Sequence, residues 1–182
     1  MQFHRTDIDG AYVVDLEPRH DDRGFFARAF SVDEFAAHGL TTVIAQSNVS
    51  VTRRRGTVRG MHYQVAPTLE SKFVRCTRGV MFDVAVDVRD GSPTYGRWVG
   101  VELSDENGRA LYVPEGCAHG FQTLVDDVAI LYDASAPHRP GEVRGLRHDD
   151  PTVGIAWPLD VTVISDQDLA WPGLPPEVSG SR

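Results

Sequence analysis

The sequence predicts an all-β barrel or sandwich, on three observations. Segments of strand length, rich in apolar residues, recur from residue 11 to residue 134. Most are bounded by Gly, Pro, Asn or Asp, as in Asp21-Asp22-Arg23-Gly24, Arg78-Gly79, Asp90-Gly91-Ser92-Pro93 and Asp105-Glu106-Asn107-Gly108. Within that span one short stretch carries helix signals.

The elements follow in order. A strand over 11–16 opens the chain, and the turn at 21–24 leads to a second over 25–30. Ser31 is placed as an N-cap, with Glu34 three residues on completing a capping box, for a helix that ends near Gly39. Strands are then expected over 42–49, 57–64, 72–77, 80–88, 97–103, 110–113, 120–124 and 129–134. No repeat or linker interrupts the chain, so residues 1–175 are expected to form one domain. The Pro-, Gly- and Ser-rich end from Gly173 is expected to fray, with 176–182 as a flexible tail.

Composition excludes several classes of function. At 182 residues, 41% hydrophobic and 24% charged, the chain has an ordinary globular balance, and it holds no apolar run long enough to span a bilayer. Its start lacks the basic-then-apolar pattern of a secretion signal. Its two cysteines, Cys76 and Cys117, fit reduced buried thiols, so a cytoplasmic protein is expected. A net charge of −8 argues against nucleic acid, although a few local cations can still hold one small anion.

Among the 18 cations 17 are arginine, a skew that a GC-rich coding bias explains. That bias does not account for the one lysine, Lys72, in the apolar run Lys72-Phe73-Val74-Arg75-Cys76. An ammonium is a compact charge whose pKa moves on burial, which a guanidinium cannot imitate, so Lys72 is a site candidate. Strand alternation puts Lys72 on a face with Val74 and Cys76. In 81–88 it separates Phe82, Val84, Val86 and Val88 from Asp83, Ala85 and Asp87. A buried lysine needs an anion, and Asp83 is one candidate; the alternative is that Asp83 and Asp87 form a solvated face.

Two histidines stand in motifs. His62 lies in Arg59-Gly60-Met61-His62-Tyr63-Gln64, and His119 lies 57 residues on in Pro114-Glu115-Gly116-Cys117-Ala118-His119-Gly120. The second stretch resembles the Pro-x-Gly-x-x-His half of a cupin barrel motif. Where a metal-binding cupin would offer His-x-His and a Glu, the first offers Gln64, too few ligands for an ion. His4, His20, His38 and His148 are taken as ordinary core or surface residues, and Arg53-Arg54-Arg55 as a solvated turn.

Further ordered motifs are Asp22-Arg23-Gly24-Phe25-Phe26, Gln46-x-Asn48-x-Ser50, Phe82-Asp83-Val84-Ala85-Val86-Asp87, Ser92-Pro93-Thr94-Tyr95-Gly96, Tyr132, Arg144-Gly145, Asp149-Asp150-Pro151, Gly154-Ile155-x-Trp157-Pro158 and Ser165-Asp166-x-Asp168. Together they resemble the dTDP-4-dehydrorhamnose 3,5-epimerases and related dTDP-4-keto-6-deoxysugar epimerases, over residues 3–172. The resemblance implies an all-β, cupin-like jelly-roll barrel with short flanking helices, paired as a homodimer. It also implies a dTDP-linked 4-keto-6-deoxysugar as the partner.

The chemistry so implied needs neither metal nor cofactor. A C4 ketone acidifies the C3 and C5 hydrogens, and epimerisation requires a base on one face, an acid on the other and a cation near the enolate oxygen. By resemblance His62 is the base, paired with Asp168 in preference to Asp166. Tyr132 is the acid, Lys72 steadies the enolate, and His119 lines the pocket. Arg59 and Arg23 are the pyrophosphate candidates, because a guanidinium fork matches phosphate oxygens. Gln46 and Asn48 are expected as neutral nucleotide-side donors and Phe26 as a stacking contact, with Arg23 and Phe26 acting across the dimer.

Two departures bear on specificity. The family's glutamate after the Arg-Gly turn is replaced by Arg28, which reverses a charge at the nucleotide. Six residues past Tyr132, where dual epimerases carry a tyrosine, stands His138. A C3-epimerase is therefore expected ahead of a C3/C5 enzyme. A metal-dependent cupin and a non-catalytic sugar-nucleotide binder are the alternatives from other classes.

Overall fold

Thirteen strands dominate the structure, a computed structural model that describes residues 1–176. They are β1 (Gln2–Arg5), β2 (Tyr12–Asp15), β3 (Arg19–Asp21), β4 (Gly24–Phe26), β5 (Gln46–Thr52), β6 (Val58–Gln64), β7 (Lys72–Arg78), β8 (Val80–Asp87), β9 (Trp98–Ser104), β10 (Ala110–Val113), β11 (Cys117–Thr123), β12 (Val128–Ala134) and β13 (Val143–Gly145). The helices are short: α1 (Val32–Ala37), α2 (Asp166–Leu169) and a 3-10 turn at Pro140–Glu142. One sheet runs β1-β2-β10-β7-β12-β5 and the other β13-β6-β11-β8-β9, with β3 and β4 paired as a separate hairpin. The two sheets face each other as a jelly-roll barrel.

Three apolar layers hold it. Between the sheets, Val74, Leu111 and Ile130 meet Met81, Ala85, Leu103 and Phe121. Outside the first sheet, Phe35 of α1 packs on Tyr12, Phe73 and Tyr112. Outside the second, Met61, Val84 and Val86 are covered by Leu146, Val153, Trp157 and Leu174 from the C-terminal segment. Leu174 is also tied by its N–H to Asp150 (2.7 Å), so the chain is docked where it was expected to begin fraying. All but Pro176 of the expected tail 176–182 lies outside the described residues.

The alternation of β8 holds, but its acidic face is not solvated. Val84 and Val86 face the outer layer while Met81 and Ala85 face the barrel interior, and Asp83 and Asp87, of the same parity, are fully buried. Other differences have local causes. The strand expected over 25–30 stops at Phe26, because Phe30 packs on Phe35 instead of extending the hairpin. The strand expected over 42–49 is shifted to β5, in register with β12 from Gln46↔Ala134 to Thr52↔Val128. β11 starts at Cys117 rather than 120 because Gly116, at φ +71°, turns the chain straight into it. Only half of the capping box forms. Ser31 accepts from the Glu34 N–H, whereas the Glu34 carboxylate is engaged by the Met1 ammonium and Arg28.

Cys76 and Cys117 are free, and burial pushes their thiols to about 11 and about 12, so both stay protonated. Asp87 braces the turn that follows β8, accepting from Arg89, Ser92 and Thr94. Burial would raise its pKa, but those bonds outweigh burial and bring it from an ordinary 3.8 to about 2. A depressed carboxylate stabilises the fold above its unfolded pKa and ceases to as pH falls through the folded one. The stability lost in Asp87→Asn is therefore expected in full at pH 7 and to shrink as pH falls from about 4 towards 2, as read by urea unfolding.

Candidate active site

The two sheets enclose a cavity of about 540 Å³ lined by Arg59, His62, Lys72, His119, Tyr132 and Asp168 among others. A second, also about 540 Å³, shares His62, Lys72, Tyr132 and Gln167 with it and extends to Gln46, Asn48 and His138. Each volume is in the range of small-ligand sites.

The β6 and β11 strands place His62 directly opposite His119. Their backbones are drawn together by glycine. A Cβ on Gly60, at φ +121°, would lie 2.6 Å from Gly120 Cα and 2.8 Å from the His119 carbonyl oxygen. Each histidine has its own carboxylate. His119 Nε2 is 2.8 Å from Asp83 Oδ1, both buried, and His62 Nε2 is 2.6 Å from Asp168 Oδ1.

Asp168 is delivered by α2, whose N-cap Ser165 accepts from the Asp168 N–H at 3.1 Å. Its second oxygen accepts from the Gly60 N–H at 3.2 Å. Burial pushes the carboxyl up. Its bonds from His62, Gly60 and Ser165 outweigh burial and hold it below the ordinary range, so it is ionised at neutral pH. Asp166, exposed at the start of α2, does not take this place.

Lys72 begins β7, and its Nζ lies 3.3 Å from Glu70 Oε2 and donates to the His62 carbonyl at 3.3 Å. Its anion is thus Glu70, on the adjoining loop, and not Asp83. Asp83 belongs to the other sheet and is committed to His119. Tyr132 projects from β12 of the first sheet, opposite the β6 wall. Burial first, then the Glu70 charge, pushes its phenol above the ordinary 10, so it keeps its proton at neutral pH.

The remaining candidates divide. Arg59 is at the exposed rim of the first cavity, its Nε donating to Thr52 Oγ1 at 3.0 Å. Asn48 pairs with Tyr132 across β5 and β12, and the Gln46 side-chain oxygen accepts from the His138 N–H. Arg23, Phe26 and Arg28 are not brought to these cavities within one chain. Arg23 is bound to Asp21 in the exposed hairpin, Phe26 is 74% exposed, and Arg28 is 3.1 Å from Glu34 beside a different cavity. Arg53, Arg54 and Arg55 form an exposed turn, as expected. His148 is a core residue, within the expectation, and its Nδ1, 3.9 Å from Asp149 Oδ1, makes no hydrogen bond among the described residues.

Sequence reasoning missed three supporting parts. Glu70 carried no motif. Ser165-x-x-Asp168 did carry a capping signature, which would have flagged α2. Trp171 lies on Gly145, which is paired with His62, and its ring meets the imidazole edge-on at 6.2 Å and 70°. A Cβ at Gly145 would sit 2.2–2.4 Å from three indole atoms. Gly145→Ala is expected to cost about 1–3 kcal/mol through overpacking, with Trp171→Ala in the same chain recovering much of it. Thermal unfolding of the single and double variants measures this.

No group of three or more His, Cys, Asp or Glu among the described residues is placed to hold a metal ion. No described helix is long and apolar enough to cross a membrane.

The sequence model of dTDP-4-dehydrorhamnose 3,5-epimerase matches residues 5–175. A protein of that name from Sinorhizobium fredii is 50% identical over 177 residues, covering 96% of this chain and 90% of the relative. A dTDP-4-dehydrorhamnose 3-epimerase from Streptomyces niveus is 40% identical over 169 residues, covering 92% and 81%. Among solved structures, NovW, a 4-keto-6-deoxy sugar epimerase from the novobiocin biosynthetic gene cluster of Streptomyces spheroides, superimposes with a TM-score of 0.91 at 39% identity, covering 96% of this chain and 87% of that one. A match across nearly the whole length, joined to the same barrel, shows that the chain belongs to the dTDP-4-dehydrorhamnose 3,5-epimerase family.

Proposed function

We propose that this protein is a cofactor-independent isomerase that epimerises a dTDP-linked 4-keto-6-deoxyhexose at C3 in deoxysugar biosynthesis. The observation that carries the reading is the opposition of two proton-transfer groups across one cavity. His62 with Asp168 stands on the wall of one sheet and protonated Tyr132 on the wall of the other.

In the reaction Asp168 binds the Nε2 side of His62 and fixes the tautomer, which leaves Nδ1 to take the C3 proton. Electrons released from the C–H bond move onto the C4 oxygen, where the Lys72 ammonium meets the developing charge. Tyr132 returns a proton from the opposite face, and the configuration inverts. His119, held by Asp83, lines the same pocket. Arg59 at the rim takes the pyrophosphate, and Gln46 and Asn48 line the nucleotide side.

A homodimer in the cytoplasm completes the proposal. The β3–β4 hairpin extends its aromatic residues into solvent, Phe25 61% and Phe26 74% exposed. In the pair Arg23 and Phe26 reach the partner's cavity, and Arg28 lies at the base end of the nucleotide.

His138, which lines the second cavity together with Tyr132 and stands where dual epimerases carry a tyrosine, favours reprotonation at C3 alone. Dual C3/C5 epimerisation is the second reading, favoured by the name of the Sinorhizobium fredii relative. Incubating dTDP-4-keto-6-deoxyglucose with the protein in D2O separates them. Deuterium at C3 only supports the first reading. Prompt deuterium at C3 and C5 with a rhamnose-configured product establishes the second, and no exchange at either carbon overturns both.

A further inference from the structure

His138 reaches the cavity on a loop with no sheet to hold it, between the end of β12 at Ala134 and the turn that starts at Pro140. Two side-chain amides hold the backbone of that loop. Gln64 Nε2 donates to the Pro137 carbonyl at 3.4 Å and to the Thr68 carbonyl at 3.2 Å. Its Oε1 accepts from the Arg139 N–H at 2.7 Å. Gln46 Oε1 accepts from the His138 N–H between them. Gln64 is 2% exposed, so water does not replace these bonds cheaply.

The position requires an amide. A carboxylate would accept from Arg139 but face two carbonyl oxygens, and an apolar side chain would leave all three partners unmet. The start of the loop is secured separately, since the Ser71 N–H donates to Ser135 Oγ at 2.9 Å and the Ser135 N–H to the Ser71 carbonyl at 3.0 Å. Loss of the Gln64 bonds would therefore loosen 137–139 without unravelling β12.

We propose that Gln64 is a positioning residue for proton delivery, holding the 137–139 loop so that His138 stays on the Tyr132 side of the cavity, and so helping to select the carbon that is reprotonated. The inference rests on the epimerase reading above. Its site is two residues from His62 on the same strand, so one strand carries both the base and an anchor of the loop that brings His138 to the cavity.

The test compares wild type with Gln64→Met, which keeps length without polarity, and Gln64→Glu, which keeps shape without the donor. Thermal unfolding identifies the folded variants. Amide hydrogen exchange at Arg139 reports on the loop, and D2O incubation with dTDP-4-keto-6-deoxyglucose reports kcat, KM and the C3:C5 deuterium ratio. The expected result is Arg139 exchange faster by about tenfold or more, kcat lower by about tenfold with KM within about twofold, and an altered deuterium ratio. Faster Arg139 exchange with wild-type kcat and ratio overturns the proposal and makes Gln64 a plain brace. Unchanged Arg139 exchange overturns it too, since the bonds would not hold the loop. If wild type exchanges neither hydrogen, the epimerase reading fails and the proposal with it, a case told apart because Arg139 still loses protection in the variants.

Discussion

Replacing His62 by asparagine is expected to slow exchange of the substrate's C3 hydrogen by about 10²–10⁴-fold, the usual range for loss of a positioned general base. Asparagine cannot take a proton, and its shorter side chain gives up the bond that His62 Nε2 makes with Asp168. Asp168 keeps its other bonds, to the Gly60 N–H and Ser165, so α2 and the cavity floor stay in place. Binding of dTDP, measured by calorimetry, should change by no more than about threefold, since rim contacts such as Arg59 are untouched and each 1.4 kcal/mol is tenfold in affinity. Exchange at the wild-type rate in this variant removes His62 from its role.

The second large effect is expected from Tyr132→Phe, and it has a different signature. The ring still fills the cavity wall and only the hydroxyl goes. Formation of the epimer should fall by about 10²–10⁴-fold because no group returns a proton from the first sheet. Exchange at C3 should persist with retained configuration, since His62 can give back the proton it removes after trading it with solvent. NMR of the sugar ring in D2O distinguishes the outcomes, as deuterated starting material with little epimer. Equal loss of exchange and inversion would contradict the assignment of base and acid to opposite walls. The phenol is pushed above 10 by burial and Glu70, so the wild-type rate should not fall through Tyr132 ionisation at neutral pH.

The barrel was legible in the sequence because its evidence is local. Gly and Pro turns and period-two alternation survive without knowledge of partners, and β10 was placed with its ends correct. The position of β5 was not legible, because its register is fixed by β12, which lies 82 residues further along. The same logic divides the site. His62 and Asp168 were found through motifs, Lys72 as the one lysine of the chain and Tyr132 through the family resemblance, and the structure gathers all four around one cavity. Their partners were found poorly. Charge alternation in β8 showed that Asp83 and Asp87 share a face but not which face was inside, so it left Asp83 open as a candidate partner of Lys72 beside the solvated reading, and neither is what the structure has. Glu70 and Trp171 act by proximity that only the folded chain creates. Gln64 was noticed for the metal ligand it is not; its work on the 137–139 loop depends on residues more than 70 positions away.

The contact between Gly60 and Gly120 bears on how such a site can diversify. Because two backbones touch there, the separation of His62 and His119 is set by main chain, and a side chain added at Gly60 or Gly120 would force the strands apart. Variation is then channelled to the facing wall, where Tyr132, the β5 amides and the His138 loop meet the cavity through side chains. The barrel behaves as a fixed anvil with an interchangeable die: the β6–β11 wall is set by its backbone, while the facing wall is shaped by side chains that single substitutions can change.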